Sequence, residues 1–108
     1  MSVGNLLKST TTVAAAQDAA TISGFPSVGV VGIQITGTLS ATITFEATVD
    51  GTNYVALNCM PSNSATPAST STAVGAWTVN AGGYAAIRAR CSAYTSGSPV
   101  LTVRYVGS

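Results

Sequence analysis

The stretch SATITFEATVDGTNYVAL, residues 40–57, decides the fold. In its first part, apolar Ile43, Phe45, Ala47 and Val49 alternate with polar Thr42, Thr44, Glu46 and Thr48. A period of two gives a strand one face for a core and one face for water. The Asp-Gly-Thr-Asn segment at 50–53 then supplies residues that suit a turn, and 54–57 returns to strand-forming residues. The stretch therefore predicts a β-hairpin.

The rest of the chain follows the same pattern of short apolar runs between turn residues. We predict further strands at 9–16, 28–37, 73–79, 84–94 and 100–106. A helical turn is the alternative that we expect at 17–20, because alanine favours helix. In the second strand the inward parity changes at Val31-Gly32, where we expect a β-bulge or a position packed on both faces. The pattern indicates an all-β antiparallel sandwich, jelly-roll-like or immunoglobulin-like, with seven to eight strands.

The strand parities also predict which side chains fill the core. The predicted core set is Ile33, Ile35, Ile43, Phe45, Val49, Ile87, Ala89, Leu101 and Val103. Residues 58–72 interrupt this pattern with two prolines and many hydroxyl side chains. A loop of this length is functional or mobile, or else it is a crossover between the two sheets.

At 108 residues the chain is long enough for one domain. We predict a single sandwich domain at 9–108, preceded by a flexible or partner-docked arm at 1–8. The N-terminal MSVGNLLK lacks the regions of a signal peptide, so we expect synthesis in a reducing cytoplasm, with Cys59 and Cys91 as free thiols. The longest apolar run, 28–35, is far shorter than the ~20 residues of a membrane helix, which predicts no membrane partner.

Charge is scarce in this sequence, at 6% of residues with a net charge of +1. Average domains carry about 25% charged residues. So small a charge gives no electrostatic footprint for nucleic acid, and we predict no nucleic-acid partner. An uncharged surface is typical of a subunit that other subunits cover, although a monomer with a threonine-rich surface is the alternative.

The sequence offers little for catalysis, and we predict that the protein is not an enzyme. It contains no histidine, the usual base of a catalytic triad. Glu46 and Asp50 lie on one strand parity, about 13 Å apart at roughly 3.3 Å per residue, beyond the reach of a glycosidase pair. Two cysteines are too few for a structural zinc site, and no phosphate-binding glycine loop is present. We predict no catalytic residue, cofactor or metal.

Two groups of side chains are candidates for contact with a partner. If their strands are adjacent, Arg88, Arg90 and Arg104 form a basic stripe; the alternative is ordinary ion pairs with Glu46 and Asp50. The second group is aromatic and consists of Trp77 with Tyr54, Tyr84, Tyr94 and Tyr105. These rings suit a sugar-stacking or interface surface, or else they cap the ends of the core.

Two segments resemble a class of small virion proteins of tailed bacteriophages. They are TFEATVDGTNY at 44–54 and IRARCSAYTSG at 87–97, within a similarity that covers about 28–106. Tyr54 stands where tryptophan is common in that pattern. The resemblance implies a β-sandwich module of the virion, used either in capsid decoration (cement) proteins or in tail, baseplate and fibre proteins.

From the resemblance and the low charge we predict a structural protein that decorates the phage head. Its partners would be the major capsid protein and copies of itself in a homotrimer. The predicted interface residues are Leu6, Leu7, Lys8, Trp77, Arg88, Arg90 and Arg104. The alternatives are a tail or baseplate module that binds host-surface glycan through Trp77 and 58–72, and a secreted carbohydrate-binding domain, which the missing signal peptide disfavours. Strand order and head or tail position do not follow from the sequence.

Overall fold

The alternating stretch forms the longer arm of a hairpin at the centre of one of two stacked sheets. The chain is described here by a computed structural model, which covers residues 6–25 and 29–107, without the side chain of Leu6. All regular structure in these residues is β, as predicted. The ten strands are β1 Leu6–Thr12, β2 Ala19–Ser23, β3 Gly29–Thr36, β4 Leu39–Thr48, β5 Val55–Ala56, β6 Met60–Pro61, β7 Thr70–Ser71, β8 Gly75–Asn80, β9 Ala86–Gly97 and β10 Val100–Gly107.

The strands form two antiparallel sheets that pack face to face. The first sheet has the order β1-β10-β3-β8-β6, and the second has the order β2-β9-β4-β5, with β7 also paired to β4. The strands beyond the seven to eight predicted are β6 and β7, which have only two residues each, and β2. No helix in the described part of the chain is long and apolar enough to cross a membrane.

The core lies between the sheets and contains the side chains that the strand parities predicted, with one exception. Phe45 and Ile43 of β4 meet Ile33 and Ile35 of β3, all with at most 1% of their surface exposed. Ile87, Ala89, Leu101 and Val103 complete the predicted set and are fully buried. The core also holds Val13, Val31, Trp77 and Tyr105.

Val49 is the exception, because it is 71% exposed. The strand ends one residue earlier, at Thr48, whose hydroxyl donates a 2.9 Å hydrogen bond to Asp50 and accepts one of 3.0 Å from the Gly51 N–H. Asp50 in turn accepts bonds from two further backbone N–H groups of the turn. These local bonds start the turn before Val49 can point inward, so the predicted parity fails at this position.

The parity change predicted in β3 is also wrong. Its register with β10 runs without interruption from Gly29 to Thr36, so there is no bulge at Val31-Gly32. Val31, Ile33 and Ile35 all face the core, and Val30 and Gly32 lie on the outer face. The register shifts instead occur in β4 against β9, beside Ser40 and Thr42.

The N-terminal region differs from the prediction in two ways. β1 begins at Leu6 and pairs with β10 along its whole length, so 6–8 belong to the first sheet and not to an arm. The predicted arm at 1–5 lies outside the described residues. The helical turn expected at 17–20 is absent, because Ala19 opens β2, which pairs with β9. The Ala20 and Ile22 side chains enter the core, and this tertiary contact outweighs the helix preference of alanine.

Residues 58–72 form a crossover between the sheets, one of the alternatives drawn from the sequence. β6 in this segment belongs to the first sheet, and β7 belongs to the second. Cys59 and Ala68 form a bridge between the two arms of the segment, with backbone hydrogen bonds of 2.8 and 3.0 Å. The segment thus covers one edge of the sandwich and connects both layers.

Candidate interaction surface

The sandwich has two outer faces, one for each sheet. We call the outer surface of β2, β9 and β4 the paired face, because its charged side chains contact one another. Glu46 and Arg88 are register partners on β4 and β9. The Glu46 carboxylate accepts a 2.7 Å bond from Arg88 Nε and two 2.9 Å bonds from Arg90. A further Arg90 nitrogen donates to the Gln17 amide oxygen at 2.9 Å.

Uncharged groups extend the paired face on both sides of Glu46. The Arg88 guanidinium lies over the Tyr54 ring, with Cζ 3.7 Å from the ring centroid, a cation–π contact. One strand pair further along, the Thr44 hydroxyl donates to the Ser92 hydroxyl at 2.8 Å. The polar groups of this face therefore have partners within the same chain.

The pKa values of Glu46 and Arg90 are shifted in opposite directions, as in an ion pair: that of Glu46 is lowered and that of Arg90 is raised. The hydrogen bond from Arg90 lowers the pKa of Glu46 and outweighs burial, which alone would raise it. The same bond raises the pKa of Arg90. Both groups therefore stay charged under ordinary conditions, and the cluster is an ion-pair network rather than a proton donor or acceptor site.

The outer surface of β1, β10, β3 and β8 is different, and we call it the open face. Lys8 and Arg104 are direct register partners here, and both are exposed. Within the described residues no side-chain carboxylate forms an ion pair with either of them. Two of the three acidic residues lie in turns: Asp18 binds the Ala14 and Ala15 N–H groups, and Asp50 closes the hairpin. The third is Glu46 of the paired face.

A groove of about 530 Å³ crosses the open face beside these cations. Gly32, in the middle of β3, is one of its lining residues and places no side chain in it. A Cβ added at Gly32 would have no atom within 4 Å, so the space above the glycine is open. The groove is lined by Lys8, Gly32, Ile33, Gln34, Ala76, Trp77, Thr78, Thr102 and Arg104.

Apolar side chains flank the cations on the same surface. Val30, Met60 and Val106 are 46%, 42% and 52% exposed, respectively, and all lie on the outer parity of the first sheet. Val106 and Val30 are register partners, one row beyond Arg104 and Gly32. Exposed apolar residues next to unpaired cations are typical of a surface that binds another molecule.

The predicted interface residues fall in three places. Arg88 and Arg90 lie on the paired face and Arg104 on the open face, so the predicted basic stripe does not exist. The alternative was correct for Glu46, which pairs with two arginines, but not for Asp50, which serves its own turn. The strand order places β10 and β9 in different sheets and so separates Arg104 from the other two arginines, and this order could not be predicted from the sequence.

Trp77 and the N-terminal residues complete this set. Trp77 is 7% exposed and packs on Phe45 at 4.9 Å between ring centroids, so it is a core residue without a free ring face. Leu7 packs against the core, Lys8 faces outward, and Leu6 pairs with Val106 through the backbone. Sequence reasoning missed Gly32. The parity of Val31, Ile33 and Ile35, read as one run, would have placed it outward.

Both cysteines are free and buried. Burial raises the pKa of the Cys59 thiol to about 12 and also raises that of Cys91. Both thiols are therefore protonated and unreactive near neutral pH, and they act as small apolar side chains.

Comparison with known proteins shows the fold but no sequence family. No protein-family model matches the chain, and no curated protein matches it in sequence. Among solved structures, the SPBc2 prophage-derived protein YomS is similar, with a TM-score of 0.73 and 14% identity over 93% of this chain and 94% of that one. The PBSX exported protein XepA is similar with a TM-score of 0.77 and 16% identity. The similarity to XepA covers 99% of this chain but only 40% of XepA.

Proposed function

We propose that this protein is a non-enzymatic structural component of a bacteriophage virion, which decorates the capsid as a homotrimer bound where major capsid subunits meet. The open face carries the proposal. It presents unpaired cations and exposed apolar side chains, whereas the paired face satisfies its charges internally. A subunit of an assembly needs such an unsatisfied surface for its partner.

Two further observations support a role in the virion. The fold is shared with YomS, which is described as prophage-derived. The sequence segments at 44–54 and 87–97 resemble those of phage virion proteins.

Closed rotational symmetry suits the local symmetry axes of a capsid lattice. Binding to many equivalent sites of the assembled shell, and not to free subunits, would stabilise the shell by mass action.

A tail or baseplate module is the second candidate. It is favoured by XepA, in which this fold accounts for only part of a longer chain, as expected of a module that is combined with others. Contact with glycan through Trp77 is not part of this candidate, because the Trp77 ring is in the core. The module would instead bind through the open face.

The location and copy number of the protein in purified virions test the proposal. Quantitative mass spectrometry of particles should find hundreds of copies if the protein follows the capsid lattice, and about a dozen or fewer if it follows the symmetry of the tail. Cryo-electron microscopy of the same particles gives the location. Density on the tail alone would refute decoration, and absence from virions would refute both candidates.

The oligomeric state needs a separate measurement. Native mass spectrometry of the purified protein should give a mass three times that of the 10.7 kDa chain. A monomer in solution that becomes threefold only on the capsid would retain the decoration proposal but place trimer formation on the lattice. A stable dimer would contradict the trimer.

A further inference from the structure

We infer that the groove of the open face, with the exposed Met60 side chain one strand beyond it, receives an extended segment of the partner protein that places a carboxylate at Lys8 and Arg104 and an apolar side chain against Met60. This inference rests on the proposed function and adds to it the binding surface and the chemistry of the partner.

The first argument is the position of the charges. Lys8 and Arg104 are opposite each other on antiparallel strands, and like charges in this arrangement destabilise a sheet. Elsewhere the same chain places Glu46 between its two other arginines, at 2.7 and 2.9 Å. The fold thus neutralises Arg88 and Arg90 on the paired face, whereas no carboxylate of the described residues pairs with the two adjacent cations of the open face. A carboxylate from outside supplies the missing charge.

The second argument is the shape of the groove. Lys8, Arg104, Gly32 and Thr78 are successive register partners across β1, β10, β3 and β8, and Met60 is the next partner on β6. The row from Lys8 to Met60 crosses five strands about 4.8 Å apart and spans roughly 19 Å, which is the length of about six extended residues. Gly32 lowers the floor at the centre of this row, so a polypeptide backbone can lie across the sheet there.

The third argument is the order of chemistry along the row. The cations stand at one end, the threonine hydroxyl of Thr78 follows the glycine gap, and the 42% exposed Met60 side chain ends the row. A segment that matches this order has an acidic residue first and an apolar residue about four or five positions later. A nucleic-acid backbone carries a negative charge at each phosphate and would need cations along the whole row. The row has cations at one end alone, at Lys8 and Arg104, and is uncharged from Gly32 to Met60.

Titration with short peptides tests the groove on the isolated protein. The probe is the blocked hexapeptide Glu-Glu-Thr-Thr-Thr-Val, whose binding is followed by amide chemical shifts in NMR, with Lys-Lys-Thr-Thr-Thr-Val as the charge-reversed control. We expect the acidic peptide to shift the amides of Lys8, Gly32 and Thr78, and the basic peptide to leave them unchanged. No shift with the acidic peptide, or shifts confined to the paired face, would overturn the inference.

Two variants separate charge from shape. Lys8→Gln with Arg104→Gln removes both cations, and Gly32→Val adds a side chain in the groove at a position where an added Cβ meets no atom within 4 Å. Each should weaken peptide binding at least about tenfold, or 1.4 kcal/mol. The matched controls are Ala65→Glu with Ser98→Glu, which lowers the net charge equally in exposed loops, and Thr21→Val, which places valine on another exposed strand. Equal binding by Gly32→Val and the parent would overturn the inference.

The same variants in virions distinguish failure of this inference from failure of the proposed function. We expect the Gly32→Val protein to be depleted from particles at least about tenfold, with the Thr21→Val protein at parental copy number. Parental copy number for Gly32→Val would overturn the inference and leave the structural role intact. If the parent itself is absent from virions, the proposed function fails, and the peptide titration alone decides whether the groove binds an acidic segment.

A titration with polygalacturonate tests for a glycan ligand. If it binds more tightly than the acidic peptide and shifts the same amides, the inference is overturned in favour of a glycan.

Discussion

The two outer faces of this sandwich are both formed by antiparallel strands, but they differ in whether their charged side chains form ion pairs within the described residues. On the paired face, Glu46 holds two arginines within 2.9 Å, and one of these stacks on Tyr54. On the open face, Lys8 and Arg104 lie side by side, next to a groove over Gly32, and no carboxylate of the described residues pairs with them. One surface pairs its charges within the chain, and the other is the surface that we propose for a partner.

The difference shows how a chain with few charges can use them. All three acidic side chains have local tasks, in the Glu46 network and in the turns closed by Asp18 and Asp50. Two of the four basic residues are matched to Glu46, and the other two are on the open face. In a protein with 6% charged residues, two cations that form no ion pair within the described residues make their face locally positive.

The largest expected effect comes from the core, because both faces depend on it. Phe45 is fully buried and its ring lies 4.9 Å from that of Trp77, which joins the two sheets. Phe45→Ala should lower the free energy of unfolding by ~3–5 kcal/mol, measured by urea denaturation. Val49→Ala is the matched control: it removes apolar atoms from an exposed neighbour on the same hairpin and should change stability by less than about 0.5 kcal/mol. Equal losses would mean that the burial pattern of β4 is wrong.

The next effect concerns the paired face. Glu46→Gln keeps the shape of the side chain but removes the charge that binds Arg88 and Arg90. We expect a loss of about 1–2 kcal/mol in the free energy of unfolding, between the values for exposed ion pairs and for buried hydrogen bonds to charged groups. Thr21→Val, at an exposed position of β2 on the same face, is the control and should leave the free energy of unfolding within about 0.5 kcal/mol of the parent. A Glu46→Gln protein as stable as the parent would mean that this face is not held by its charges.

The pH dependence of that loss follows from the direction of the Glu46 pKa shift. The folded protein lowers this pKa below its ordinary value of 4.5, so folding favours the ionised carboxylate. The resulting stability is fully present above the unfolded pKa and disappears as the pH falls through the folded value. The difference in melting temperature between the parent and Glu46→Gln should therefore be constant from pH 7 to about 5 and shrink on further acidification. A difference that grows below pH 4.5 would contradict the ion pair.

The sequence was sufficient for the parts of the fold that depend on local pattern. Alternation correctly predicted the buried faces of β4, β9 and β10, because each has apolar residues at every second position over at least three pairs. It failed at Val49, where hydrogen bonds of Thr48 and Asp50 end the strand early. It also missed β2, whose Ala20 and Ile22 form too short an alternation to outweigh a helix-prone composition.

The candidate site was less accessible, because it depends on which strands are neighbours. Lys8, Arg104 and Trp77 were identified as candidates, but β1, β10 and β8 lie together only in the completed sheet order. The same order separates Arg104 from Arg88 and Arg90. Gly32 was taken for a bulge because a glycine in a strand has two physical uses, a bend or an open approach. Only the register with β10 and β8 decides between them.

The smallest expected effect is the most informative about the open face. Lys8→Gln removes one of two like charges that are direct cross-strand partners, and no ion pair is lost with it. The free energy of unfolding should stay the same or rise by up to about 0.5 kcal/mol, and the gain should fall as salt screens the repulsion. Arg104→Gln should behave in the same way, and the double variant should gain no more than either single one, because the repulsion is already removed by the first change. Denaturation in low and high salt measures these differences. A loss of 1 kcal/mol or more, by contrast, would mean that the two cations serve the fold, and the contrast between the faces would then lose its basis.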